Sequence, residues 1–390
     1  MNSIWSRNFI LLTLSNFLMC SAYYSLISTL PLFVSGVLKA NHSIVGLVLA
    51  SYAVAAIVVR PFCGFGLDYF GRKTIFILSL LVYGLIFNVY ILVASVWFMV
   101  MVRFLHGITW GLTSTSNSTI AGDIIPAEKR GEGFGYFGVT TTAGMALGPL
   151  IGSAILTMGG YTAMFLAGFG LSLISMIMAA MIRYPVYQKK PMEFKWAKLF
   201  EKKTVIPSLN LLITSLSYGG LLSFIALYGK EIGIKNPSGF FLIYALGIIT
   251  SRFSAGKAVD RNGPRRIIIF CLTLLIIGFP LLALVKNPFG YYFSAIILGF
   301  GNGVVWPTFQ AMVNNIVEPD RRGAANSTAF IAMDLGMGLG MMLAGVISQY
   351  YSISAAFMLC SVICTGGLIF FLRVTLRHYL KIRNLQQQNV

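Results

Sequence analysis

Apolar residues in this chain come in long blocks separated by short polar breaks. The blocks fall near 8–36, 44–66, 74–94, 97–122, 132–158, 161–184, 204–229, 239–258, 266–285, 289–313, 324–350 and 353–375. A helix needs roughly 20 apolar residues to cross a hydrocarbon layer about 30 Å thick. The pattern therefore predicts an all-α integral membrane chain of twelve spanning helices. The connections are too short for a soluble catalytic domain. The first block reads as a retained helix and not as a cleaved leader, because its apolar run is too long and no small-residue cleavage site stands out.

Composition supports the same class. Hydrophobic residues make up 57% of the chain and charged residues only 10%, with a mean hydropathy of +0.80, whereas soluble domains carry roughly a quarter charged residues. The net charge of +18 raises nucleic acid or a membrane surface as partners, and its distribution decides between them. Arg7, Arg72, Lys73, Lys129, Arg130, the cluster within 183–203, Lys257, Arg261, Arg265, Arg266, Arg321, Arg322 and the tail from Arg373 to Arg383 fall on one side of the predicted membrane. Only Lys39, Lys230, Lys235 and Lys286 fall on the other, while Arg60, Arg103 and Arg252 lie inside spans. Such an asymmetry in short loops is the positive-inside signature. It places both termini in the cytoplasm and excludes nucleic acid as the partner. The five cysteines all sit in apolar blocks at no metal-like spacing, so they read as packing residues, and no metal site is expected.

The chain also repeats itself. The charged segment Gly64-Phe-Gly-Leu-Asp68-Tyr-Phe-Gly71-Arg72-Lys73 has a counterpart in Gly256-Lys-Ala-Val-Asp260-Arg-Asn-Gly263-Pro-Arg265-Arg266, 192 residues later. The same offset relates Arg60 to Arg252, Gly144 to Gly336 and Gly148 to Gly340. In the fourth and tenth spans it becomes 196, pairing Gly107 with Gly303 and Trp110 with Trp306. The slip of four is about one helical turn, so the same face is kept. Two parallel repeats of this kind predict an N-terminal six-helix bundle (1–184), a basic cytoplasmic linker (185–203) and a C-terminal six-helix bundle with a short tail (204–390), with a transport site near the bilayer midplane.

Several residues carry candidate chemistry. Gly64 is small where helices approach, Gly71 permits a tight turn, and Asp68 can accept hydrogen bonds at a helix N-terminus. Arg103, His106 and Trp110 are three or four residues apart and share one face of the fourth span. A buried arginine is expensive and should face a partner or a wet cavity, and imidazole changes charge near neutral pH. Gly144, Gly148 and Gly152, with Pro149 among them, form a small-residue stripe on the fifth span. Asp334 lies deep in the eleventh span, where a carboxylate suggests a proton carrier, a cation site or the partner of a buried base. Asn16, Tyr23, Trp110, Tyr218, Tyr244, Asn302, Trp306 and Gln310 offer aromatic and hydrogen-bonding groups for a cavity wall that suits an amphipathic organic ligand.

These motifs closely resemble those of the major facilitator superfamily, and over nearly the full chain those of its bacterial twelve-helix drug–proton antiporters. The resemblance implies that the first charged hairpin latches one conformational state. Asp68 would then face the eleventh helix near Ser327, and Arg72 would pair with Asp123. Asp260, Arg261 and Gly263 would form the second copy, which has Pro264 in place of an arginine. It further implies that Gly144 to Gly152 is the antiporter motif, and that Arg103 takes part in proton coupling. Exporters of this kind often carry an acid in the first helix, where this chain has Asn16. No phosphate-binding loop or catalytic triad is present, since Gly256-Lys257 is followed by Ala258, and no enzymatic activity or cofactor is expected. The expectation is a monomeric, proton-coupled exporter of small organic molecules in the bacterial inner membrane. An uptake symporter, a dedicated exporter of a metal chelator, and a sensor without flux are the alternatives.

Overall fold

The computed structural model describes residues 4–126, 129–184, 201–318 and 322–388; within them the side chains at 64, 65, 68, 130, 131, 253–263, 322, 323 and 386–388 fall outside the description. Most of the linker expected at 185–203 therefore lies outside the described residues. Among those described, regular structure is entirely helical.

The breaks between apolar blocks act as helix starts because they supply caps. Helix α1 (Arg7–Gly36) begins at Ser6, whose hydroxyl accepts the Phe9 N–H. Ser95 does the same for Phe98 at α4 (Val96–Ile124), and Ser352 for Ala355 at α10 (Ile353–Phe370). Asn287 caps α8 (Pro288–Asn315), where Pro288 occupies the first turn and sacrifices no helical donor. Each cap satisfies an N–H that the helix cannot bond itself. Helix α2 (His42–Tyr69) is separated from α3 (Arg72–Val89) by two residues, and Gly71 makes this turn at φ 94°, where a β-carbon would be strained. The remaining helices are α5 (Arg130–Ala180), α6 (Val205–Glu231), α7 (Gly239–Leu284), α9 (Arg322–Tyr350) and α11 (Leu376–Gln388). A π-helical turn, Phe371–Thr375, joins α10 to α11.

Helices α5 and α7 are each far longer than a bilayer is thick, and each holds two of the predicted spans. In α5, Gly160 leaves the helical region at φ 73°. Thr141 receives a hydrogen bond from Asn16 (2.9 Å), while Ser175 bonds to the neighbouring Ser15 (2.8 Å). A straight helix would hold Thr141 and Ser175 about 50 Å apart, so the chain doubles back at Gly160 and both arms lie on α1. In α7, Tyr244 packs on Gly299 and Leu275 packs on Gly301. These two would be about 45 Å apart in a straight helix, so α7 also reverses between its predicted spans. With both arms of α5 and α7 counted, α1 to α10 supply the twelve spans that the apolar blocks predict.

The chain divides into two compact units. One comprises Met1–Ala40 with Ser51–Phe194, and the other Asn41–Ala50 with Lys195–Val390. The duplication extends to packing inside each unit. In the first, Gly144 lies against Cys20 and Gly148 against Tyr24. In the second, Gly336 lies against Leu212 and Gly340 against Leu216. Leu212 follows Cys20, and Leu216 follows Tyr24, by the same 192 residues that separate the glycines. A β-carbon at Gly144, Gly148 or Gly152 would sit 2.6 Å from the Cys20 Cβ, 2.7 Å from the Ser21 carbonyl oxygen or 2.8 Å from the Ser25 Cβ. Backbone contact of this kind is what small residues allow between membrane helices.

Gly148→Leu is expected to destabilise the protein by about 1–3 kcal/mol through overpacking. Gly170→Leu, whose β-carbon meets nothing within 4 Å, should leave it unchanged. Thermal unfolding of the two variants in detergent compares them directly.

Candidate functional site

The first charged hairpin carries an ion pair. The Arg72 guanidinium binds the Asp123 carboxylate, joining the start of α3 to the end of α4, with the two side chains 15% and 25% exposed. This is the pairing that the motif implies. The Lys73 ammonium stands 6.0 Å from the Tyr184 ring. Side-chain structure at Gly64, Asp68, Asp260, Arg261 and Gly263 lies outside the described residues. Arg60 and Arg252 are related by the repeat: Arg60 of α2 donates to Thr115 of α4 (3.1 Å) and Arg252 of α7 to the Gly303 carbonyl of α8 (3.4 Å).

Deeper in the first unit, α2 and α4 cross in close contact because α4 presents glycine there. Gly107 lies on the Tyr52 carbonyl and Ala55, and Gly111 on Ala56 and Val59. The crossing sets the Tyr52 ring beneath Arg103, one turn from Gly107, with the guanidinium 4.2 Å from the ring centroid. Arg103 is fully buried, and its three nitrogens make no well-aligned hydrogen bond, with the Tyr90 hydroxyl set beside the guanidinium. His106, also fully buried, has its Nδ1 3.0 Å from the Tyr90 hydroxyl, and its ring lies 4.5 Å from that of Tyr83 and 5.0 Å from that of Phe87. Two candidates from separate helices meet here, since Tyr23 of α1 stacks on Trp110 of α4 at 4.2 Å and 18°.

Asn16 has a different setting from the one expected of a cavity residue. Its amide donates to Thr140 (2.8 Å) and Thr141 (2.9 Å) and its oxygen accepts from Asn117 (2.8 Å). It is buried and ties α1 to α4 and to the first arm of α5.

In the second unit, Asn302, Trp306 and Gln310 lie four residues apart on α8 and are all half-buried, so they share one face. Tyr244 is fully buried, with Tyr218 of α6 and the Asn302 amide as its polar neighbours. The Trp306 indole meets Phe330 of α9, ring centroids 5.7 Å apart. Asp334 lies one turn beyond Phe330 on α9 and is buried, at 8% exposure.

Compared at the repeat offsets, the two units differ most at their charges. Tyr52 corresponds to Tyr244. Because Gly299 lies on the Tyr244 carbonyl as Gly107 lies on that of Tyr52, and Gly303 on Ile248 as Gly111 on Ala56, the offset of 192 holds through α4 and α8 and the slip of four expected there is not kept. Arg103, however, corresponds to Ala295, and Asp334 to Thr142. Arg103 and Asp334 are thus buried charges that the other unit lacks at the equivalent position. Sequence reasoning missed Tyr52, Tyr83 and Tyr90 around Arg103, and Asn117, Thr140 and Thr141 around Asn16. The repeat offset offered one signal for Tyr52, because it falls on the candidate Tyr244.

The family model described as Major Facilitator Superfamily matches residues 12–251 and 208–388. A multi-drug resistance efflux pump PmrA homolog of Lactococcus lactis is 23% identical over 98% of each chain. The staphylopine export protein of Staphylococcus aureus is 22% identical over 84% of this chain and 86% of its own. Among solved structures, a bacterial homologue of the human lysosomal transporter Spinster, inward-facing and occupied, matches with a TM-score of 0.78 at 15% identity, covering 96% of this chain and 97% of that one. The nucleoside transporter NupG matches with a TM-score of 0.73 at 16% identity, covering 93% of this chain and 98% of that one. These structural likenesses establish the fold.

The Arg72–Asp123 pair yields a prediction. The stability effects of Arg72→Ala and Asp123→Ala should fall short of additivity in the double variant, with a coupling of about 1 kcal/mol or less for a partly exposed pair. A thermal-unfolding double-mutant cycle measures it, and strict additivity would remove the pair's role.

Proposed function

This chain belongs to the Major Facilitator Superfamily, and from that premise we propose that it exports small organic molecules in exchange for protons. It is a multi-pass membrane transporter and not an enzyme. The observation that carries the export direction is the Gly144, Gly148, Pro149 and Gly152 stripe, whose glycines seat α5 against α1 at backbone distance. The stripe resembles the antiporter motif and argues against an uptake symporter. The two relatives named above, an efflux pump and an export protein, support the same direction.

In this reading the two bundles, joined by the basic linker, alternate between states open to either side of the membrane. Asp334 carries the proton, because an ionisable residue placed deep in a membrane span is by its position a candidate for a proton relay. Arg103 and His106 set the field that the moving charge meets. Tyr218, Tyr244, Asn302, Trp306 and Gln310 contribute aromatic and amide groups for an amphipathic ligand, as Tyr23 and Trp110 do in the first unit. The first hairpin, with Arg72 held by Asp123, governs switching more than the second, where Pro264 removes a charge. The chain works as a monomer in a bacterial inner membrane with both termini in the cytoplasm. A second reading, a dedicated exporter of a metal-chelating metabolite, draws on the likeness to the staphylopine export protein.

Expression in a pump-deficient bacterial host, followed by growth against a panel of toxic organic compounds, tests the proposal. The wild type should raise tolerance to at least one compound severalfold, and Asp334→Asn should abolish the gain while remaining inserted at wild-type levels. Full resistance in Asp334→Asn would overturn the proton-carrier role, and sensitisation by the wild type would reverse the direction.

A further inference from the structure

Five buried polar atoms without hydrogen-bond partners cluster where α2 meets α4: Nε, Nη1 and Nη2 of Arg103, Nε2 of His106 and the hydroxyl of Tyr52. Buried polar groups are almost always satisfied, so such a concentration calls for an explanation. The three arginine nitrogens can only donate, and the Tyr52 hydroxyl can donate as well. The Tyr90 hydroxyl beside the guanidinium is a neutral acceptor; what the cluster lacks among the described residues is an anionic one, and one side chain in it is a full positive charge.

No compensating acid stands there among the described side chains of the first unit. Among the described residues of the first unit, Asp123 is paired with Arg72 and Glu132 is exposed. Asp123 is also twenty residues from Arg103 on α4, about 30 Å along the helix. The corresponding position in the second unit is Ala295, so a cation here is not demanded by the fold.

The groups above Arg103 form a graded stack. The guanidinium lies on Tyr52, Tyr52 on Tyr23 at 5.4 Å and 23°, and Tyr23 on Trp110 at 4.2 Å and 18°. Exposure rises outward from 0% at Arg103 through 3% and 5% at the two tyrosines to the half-buried Trp110. The outer end suits a flat apolar body, and the inner end a planar oxyanion that a guanidinium fork can bind through two hydrogen bonds.

We propose that the substrate is an aromatic or similarly flat organic acid, and that Arg103 is its specificity-determining residue, binding the substrate carboxylate once Tyr52 swings off the guanidinium. This rests on the transport reading above and names its substrate class. A carboxylate replaces the Tyr52 ring as the counter-group, so the charge stays compensated in both states. An organic cation finds no acid among the described interior residues of this unit and is disfavoured by Arg103.

Equilibrium dialysis with the full-length protein in nanodiscs, without a pH gradient, tests this with three matched probes: 1-naphthoate, 1-naphthamide and 1-naphthylmethylammonium. The wild type should bind naphthoate at least tenfold more tightly than the amide, and the ammonium most weakly. Arg103→Gln should reduce the naphthoate-to-amide ratio to below threefold. Arg103→Lys, which keeps the charge and loses the fork, should fall between, and serves if Arg103→Gln does not fold. Equal binding of acid and amide, tightest binding of the ammonium, a preference that survives Arg103→Gln, or no naphthoate binding up to millimolar concentration would each overturn the inference. Binding at equilibrium depends on neither flux direction nor proton coupling. A failed export assay therefore leaves this result standing, and failed naphthoate binding leaves export of other molecules standing.

Discussion

Close backbone contact between helices is the constraint on which the rest of this structure depends. Lipid is as apolar as leucine, so association of spans rests on packing, and packing improves when small residues let backbones touch. Gly144, Gly148 and Gly152 seat the first arm of α5 on α1, and Gly336 and Gly340 seat α9 on α6. Gly107 and Gly111 do the same for α4 on α2. The α1–α5 seam brings Asn16 within reach of Thr140 and Thr141. The α2–α4 seam lays Tyr52 against Arg103. Chemistry in the interior is thus positioned by residues that have none.

The duplication gives a way to separate scaffold from function. Positions that build the seams agree between the units to the residue, down to Cys20 and Tyr24 matching Leu212 and Leu216 as glycine partners. The buried charges do not repeat. Arg103 has an alanine at its equivalent position and Asp334 a threonine. A buried charge costs stability wherever it stands, and nothing in a symmetric scaffold asks for it on one side alone. Departures from the repeat at these two positions single them out as candidates for the proposed charge-coupled cycle.

The twelve spans are legible in the sequence because bilayer thickness fixes how long an apolar block must be. The doubling of α5 and α7 is legible for the same reason, since no single span accommodates such lengths. The Arg72–Asp123 pair follows from a motif with known logic. The environment of Arg103 does not, because Tyr52, Tyr83 and Tyr90 come from α2 and the end of α3, and tyrosines at irregular spacing are common in membrane spans. Asn16 illustrates the opposite error. A polar residue in an apolar helix suggests a cavity, yet Thr140, Thr141 and Asn117 satisfy its amide and make it a structural tie. Which of the two a polar residue becomes depends on partners more than 100 positions away, and one-dimensional periodicity carries no information about them.

The central claim is that movement of an organic molecule in one direction is bound to movement of a proton in the other. Respiring inside-out vesicles containing the protein, loaded with a dye that reports lumenal acidity, test it most directly. On addition of a transported compound, the account predicts a partial collapse of the acid gradient together with accumulation of the compound in the lumen. Accumulation that leaves the gradient untouched and persists after the gradient is dissipated would contradict it.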